Sequence, residues 1–220
     1  MPFKESNAPA NMWFSFDYGN VHFVTISTET DYPNCPYPDD TFGNQIEWLT
    51  NDLEAASNDD NIDWIIVVGH QPIYSSIESK STIFGVPKGN SAYVQQAFEN
   101  IFYTYKVDIY MDGHVHGYER SYPVYNSQIV GNNTLSEYYD PEAPVYVING
   151  SAGNVEGFYD DWHFEAPKWS AKRYWPNPEH GYGILKTFGA SKLQWTWYRN
   201  TEEPLNDNPY DTFEIVRTHQ

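Results

Sequence analysis

Asp112-Gly113-His114-Val115-His116-Gly117-Tyr118-Glu119-Arg120 follows directly on the apolar run Val107-Asp108-Ile109-Tyr110-Met111. The run reads as a short buried strand. Two histidines one residue apart at its end turn toward one point if the backbone curls, and Gly113 and Gly117 offer the freedom to curl. Neutral imidazole is the commonest protein ligand for transition metals. Asp112, just ahead of the pair, is placed to orient an imidazole from behind. A bare H-x-H occurs often by chance, so the weight of the motif lies in its setting.

That setting is a succession of strands and helices. Trp64-Ile65-Ile66-Val67-Val68 is a continuous apolar run, typical of a strand covered on both faces, and it ends at Gly69-His70-Gln71-Pro72-Ile73-Tyr74. Ile46, Leu49, Leu53 and Ala56 recur at helical spacing before it. Tyr93, Val94, Ala97, Phe98, Ile101 and Phe102 do the same before the histidine run. Strand, helix, strand, helix, strand predicts crossover units and a largely parallel α/β sheet. Ligands in such sheets bind at the carboxyl ends of strands. His70 sits at one such end and His114 and His116 at the next, so these three are the candidate metal ligands.

Working outward, Trp13 to Tyr18 and Val21 to Ser27 predict a hairpin turned at Gly19-Asn20. Asp17-x-Gly19 reads as that turn, and His22 as a packed or half-exposed strand residue. Residues 29–43, rich in Asp, Pro and Asn, read as a loop. Beyond Arg120 the pattern turns to strands over 121–125, 145–149, 182–188, 192–198 and 212–216. Gly150 to Gly157 is a glycine-punctuated loop whose backbone can approach a site. Asn132-Asn133-Thr134 is a glycosylation sequon in a polar loop; Asn149-Gly150-Ser151 abuts an apolar strand and reads as buried.

The chain of 220 residues reads as one domain, 1–220, with 40% hydrophobic and 18% aromatic residues. Its net charge of −18 repels nucleic acid and anionic membranes, so neither is an expected partner. It repels phosphate esters too, so a phosphate-handling site would need local positive charge, such as metal ions. Cys35 is the single cysteine, so it is a free thiol or pairs outside this chain. No signal-peptide h-region and no transmembrane run is visible.

Taken together, Phe14-Ser-Phe-Asp-Tyr-Gly, Ser27-Thr-Glu, Gly69-His70-x-Pro72-x-Tyr74, Lys106-Val-Asp, Gly113-His-Val-His-Gly-Tyr-Glu-Arg120, Ala143-Pro-Val-Tyr-Val147 and Gly153-Asn-Val-Glu-Gly157 resemble the purple acid phosphatases, a branch of the metallophosphoesterases. The resemblance implies an α/β fold of the calcineurin-like type, two mixed β-sheets flanked by helices. It implies hydrolysis of phosphate monoesters at acid pH by a metal-bound hydroxide, at a binuclear centre of Fe(III) and a divalent metal (Zn, Fe or Mn). It assigns His70 and His114 to the divalent metal and His116 to the iron, with Asp112 and Tyr118 supporting them. It also implies a secreted or extracellular glycoprotein, with Asn132 as the glycan acceptor.

The family's G-D-x-x-Y and G-N-H-[DE] motifs do not occur in this sequence, and its D-x-G is matched only superficially, by Asp17-x-Gly19, which reads as the hairpin turn. The likeness is therefore to the C-terminal portion of the catalytic domain, with the N-terminal half of the fold missing. Three imidazoles without a bridging carboxylate imply at most one divalent metal in this chain alone, and an isolated chain close to inactive. The missing N-terminal half is a possible partner. Where some members carry a phosphate-contacting histidine, Lys80 offers a positive charge instead. The alternative reading is a non-catalytic secreted remnant or binding module, with an aromatic, acidic surface suited to glycans.

Overall fold

The computed structural model describes residues 4–8, 11–29, 42–77, 82–83, 86–87, 92–153, 155–200 and 209–218. Cys35 and Lys80 lie outside the described residues. In chain order the elements are β1 (Phe14–Tyr18), β2 (Val21–Thr25), α1 (Gln45–Ser57), β3 (Trp64–Val68), β4 (Thr82–Ile83), β5 (Val86–Pro87), α2 (Ala92–Thr104), β6 (Ile109–Asp112), β7 (Tyr118–Tyr125), β8 (Gln128–Ile129), β9 (Asn132–Asn133), β10 (Glu137–Tyr139), β11 (Val145–Asn149), β12 (Ser170–Arg173), β13 (Gly181–Phe188), β14 (Lys192–Arg199) and β15 (Asp211–Val216).

Among the described residues these form an eight-stranded sheet in the order β1-β2-β3-β6-β11-β7-β12, with β8 on β7, and a five-stranded sheet in the order β13-β14-β15-β10-β9. β2, β3, β6 and β11 run parallel to one another, and β1, β7 and β12 run antiparallel to their neighbours. The two mixed sheets with few helices are the architecture that the resemblance implies, and the strand–helix alternation accounts for the parallel run β2-β3-β6-β11 within the larger one.

The apolar pattern of β3 explains the layering. Ile65 and Val67 face α1 and α2, joining Trp13, Leu49, Leu53, Phe98, Phe102, Tyr110 and Tyr146 in one core. Trp64 and Ile66 face the second sheet, joining Val145, Val147, Trp195, Trp197, Phe213 and Ile215 in another. Both faces of the strand exclude water, so neither can be polar. α1 buries Trp48, Leu49, Leu53 and Ala56, one stripe of an amphipathic helix.

Most strand ends lie within a residue or two of the sequence reading, and two larger departures bear on the packing around β7. β7 begins at Tyr118, because Tyr118, Glu119 and Arg120 are buried and find polar partners inside. β12 has no apolar signature; its Lys172 and Arg173 are half-buried against β7.

The β1–β2 hairpin is fastened to α1 by a polar clamp. His22 Nδ1 lies 2.6 Å from Asp17 Oδ1 and its Nε2 3.0 Å from Asp52 Oδ2, while Ser15 Oγ donates to Asp52 Oδ1 at 2.6 Å. Carboxylates only accept, so satisfying both ring nitrogens requires the imidazolium. Burial pulls its pKa down, but the hydrogen bonds to Asp52 and Asp17 outweigh burial and the net shift is upward. A pKa raised in the folded state contributes stability fully present below the ordinary value of 6.5 and lost as pH rises through the folded value. Chemical denaturation from pH 6 upward should therefore show stability falling, with a slope of at most about 1.4 kcal/mol per pH unit from this proton. His22→Gln should be less stable at pH 6 and should flatten that slope; an unchanged slope would show that the clamp carries no proton.

Candidate metal centre

The parallel strands end in line. Thr25 pairs with Val68 and Val68 with Met111, and Asp112 pairs with Ile148. The residues just beyond these ends therefore converge on one rim. Gly69 N–H makes the last regular bond across it, to Met111 O at 2.9 Å. The His70 carbonyl then accepts from two amides of the neighbouring turn, Gly113 N–H at 3.2 Å and His114 N–H at 2.9 Å. One backbone oxygen thus fixes the His70 turn to the His114 turn.

The side chains follow. His70 Nε2 and His114 Nδ1 face each other at 3.1 Å, with ring centroids 4.9 Å apart and planes at 76°. His116 points elsewhere. Its Nδ1 lies 3.0 Å from Gly157 O, and because a carbonyl only accepts, that nitrogen carries the proton. Nε2 lies 3.9 Å from Glu156 Oε2, and the ring packs on Tyr159 at 4.5 Å. A neutral His116 therefore presents its lone pair at Nε2, the arrangement common where a histidine binds metal through one nitrogen and is held by a carbonyl through the other.

The donor set can be tested against an ion. Two nitrogens about 2.1 Å from a tetrahedral Zn(II) stand roughly 3.4 Å apart. The His70–His114 spacing lies a few tenths of an ångström inside that value, so the pair would fit one divalent ion once both rings turn their lone pairs toward a common point. Among the described residues no group of three His, Cys, Asp or Glu side chains converges on one point. His116 thus stands apart from the pair. Beside His70 opens a cavity of about 450 Å³ lined by Thr25, Ile26, Val68, Gly69, Met111, Asp112, Gly113 and Asn149. No lysine or arginine is among these lining residues, so a phosphate there would rely on bound cations.

The two supporting residues read from the sequence do not touch these imidazoles through any hydrogen bond described. Both Asp112 oxygens are buried without a partner among the described residues, and burial together with the Glu119 charge holds its pKa well above the usual carboxylate range. Tyr118 donates to Asp211 Oδ2 at 2.7 Å between the sheets. Gly113 has ordinary φ and open space around it, so the curl does not depend on its freedom. Gly117 matters for packing: a Cβ there would lie 2.7 Å from Trp162 Cζ2. Sequence reasoning passed over Thr28, Glu119 and the Gly157 carbonyl. Glu119 accepts from Ser76 N–H at 2.7 Å and Ser170 Oγ at 2.5 Å, binding the turn after His70 to β7 and β12. Only the Ser27-Thr-Glu and Gly153-Asn-Val-Glu-Gly157 blocks carried a signal for the other two.

Comparison with known proteins identifies the family. The family model described as "Calcineurin-like phosphoesterase" matches residues 5–118, more than half of the sequence. The chain belongs to the calcineurin-like phosphoesterases.

A second family model, "Iron/zinc purple acid phosphatase-like protein C", matches residues 143–208 of this phosphoesterase. It is 30% identical to the "Acid phosphatase" of Aspergillus ficuum over 94% of this chain and 38% of that protein. It is 36% identical to "Acid phosphatase type 7" of Homo sapiens over 83% of this chain and 41% of that protein. The purple acid phosphatase PPD1 from yellow lupin (Lupinus luteus) seeds superposes with a TM-score of 0.72 at 26% identity, over 96% of this chain and 34% of that one. Through these matches the phosphoesterase is similar to the purple acid phosphatases. The chain spans about two fifths of the length of the curated relatives it matches. No helix among its described residues is long and apolar enough to cross a membrane.

Proposed function

We propose that this phosphoesterase carries the nitrogen ligands of an acid phosphatase acting on phosphate monoesters. The observation that carries the reading is the facing of His70 Nε2 and His114 Nδ1 across 3.1 Å at adjacent strand ends. These two residues would hold one divalent ion (Zn, Fe or Mn), and His116, through Nε2, would serve the Fe(III) of a binuclear centre. Bound there, the ions would supply Lewis acidity and an acidified water for attack on phosphorus. The chain's own residues set the spacing of the pair, fix the His116 tautomer through Gly157, and leave open the cavity beside His70 for a phosphate ester.

With nitrogen donors and no convergent carboxylate among the described residues, these 220 residues would hold at most one divalent ion and turn over slowly by themselves. Asn132, exposed on β9, is available as a glycan acceptor in a secreted protein. The test is zinc content and p-nitrophenyl phosphate hydrolysis of the metal-loaded chain. We expect about one equivalent of zinc in the wild type, lost by dialysis in His114→Ala together with any turnover, since removing one of two protein ligands leaves a single imidazole. A His114→Ala variant that keeps both zinc and turnover would reject the site.

A further inference from the structure

The Ser27-Thr28-Glu29 block, just beyond β2, has no part in the metal reading as it stands. We propose that Thr28 is the positioning residue for His70, and through it for the His70–His114 nitrogen pair. Past Gly69 the backbone leaves the sheet ladder, so the next amides, of His70 and Gln71, lose their strand partner. Buried N–H groups must find an acceptor. Thr28, 1% exposed, supplies it: its Oγ1 accepts from Gln71 N–H at 2.9 Å and His70 N–H at 3.2 Å. Its own hydroxyl proton points to Glu29 Oε1 at 3.3 Å, and Glu29 Oε2 accepts from Gln71 Nε2 at 3.4 Å. From the opposite side Tyr110 O–H donates to Gln71 O at 2.7 Å.

The turn is thus held on both sides and wedged at its start. A Cβ on Gly69 would lie 2.3 Å from Tyr110 Oη and 3.0 Å from Thr28 Cγ2. Without the Thr28 hydroxyl, the buried Gln71 amide and the part-buried His70 amide lose their acceptor. The least costly response is rotation of the peptide at 70–71, which turns the His70 ring away from His114. The Thr28 contacts stand on geometry alone; their importance for function rests on the metal-pair reading above.

The experiment uses the whole chain with Thr28→Val, which keeps the branched side chain and removes the hydroxyl, and Thr28→Ser, which keeps the hydroxyl. The first readout needs no metal: the 15N shifts of the His70 and His114 rings, with His22 as a distant internal control. The second is the Zn(II) dissociation constant. Thr28→Val should move both ring shifts toward those of free imidazole, leave His22 unchanged, and weaken Zn(II) at least tenfold. Thr28→Ser should stay within threefold of wild type with the paired shifts retained. Wild-type shifts and affinity in Thr28→Val, or Thr28→Ser impaired to the same degree, would overturn the proposal. If the wild type binds no zinc, the metal-pair reading fails while the ring shifts still decide on Thr28. If Thr28→Val does not fold, Thr28→Cys takes its place: its weakly accepting thiol should give intermediate shifts, and wild-type shifts there would overturn the proposal.

Discussion

Arg120→Met should cost the fold about 3–5 kcal/mol, the usual penalty for removing one partner of a buried ion pair. Arg120 is fully buried and grips Asp211 with two bonds, Nε to Oδ2 at 2.7 Å and Nη2 to Oδ1 at 2.9 Å. Its remaining donors go to Leu135 O at 3.1 Å and to Tyr138 Oη, and Phe213 lies under the guanidinium at 4.9 Å. Burial works against the charge, but the bonds to Asp211 more than offset it, so the guanidinium stays ionised. Methionine would leave Asp211, 7% exposed, with Tyr118 as its remaining side-chain hydrogen-bond donor among the described residues. Replacing both partners, Arg120→Met with Asp211→Leu, should recover most of the loss, because no uncompensated charge then remains. Guanidinium denaturation of the two single variants and the double variant measures the coupling. A single variant within 1 kcal/mol of wild type, the level of an exposed pair, would sink the argument.

Gly150→Ala should damage the centre rather than the whole molecule. The new Cβ would lie 1.9 Å from Val115 O and 2.6 Å from Gly113 O, both backbone atoms of the loop that carries His114 and His116. A backbone carbonyl cannot swing aside as a side-chain end can, so the loop itself must move. We expect a stability loss of about 1–3 kcal/mol, typical of overpacking, and zinc affinity lower by at least tenfold. Gly113→Ala is the control: it neighbours His114, yet its Cβ meets nothing within 4 Å and its φ is ordinary. Near-wild-type zinc binding is expected there. If both glycine variants behave alike, the close approach of Gly150 is not what holds the loop.

Much of this fold is written in local pattern. Trp64 to Val68 announces a strand covered on both faces because every residue of it meets a core, and the stripe on α1 announces one buried side. The meeting of His70 and His114 was legible for a similar reason: they follow adjacent strands in a crossover arrangement, and such strand ends meet, whereas His116, read together with them, stands apart. What was not legible depends on partners far along the chain. Arg120 has no visible partner in the sequence, because Asp211, which faces it, lies 91 residues away. β12 reads as loop because Ser170 to Arg173 has no apolar period and pairs only with the outer side of β7. Thr28 looks like an ordinary strand-end hydroxyl; only the fold shows that two orphaned amides converge on it.

The oxygen shared between the two turns has a consequence for how the centre would exchange its contents. Since the carbonyl of His70 accepts from Gly113 and His114 together, the mounts of the two rings are tied to each other. Spreading the loops for ions of different radius would cost these hydrogen bonds, whereas torsion of the imidazoles about χ1 and χ2 would not. His70 is solvent-exposed whereas His114 is half-buried, so the softer of the two torsions belongs to His70. Entry and departure of a cation would then proceed through rotation of that one ring, with His114 as the fixed jaw.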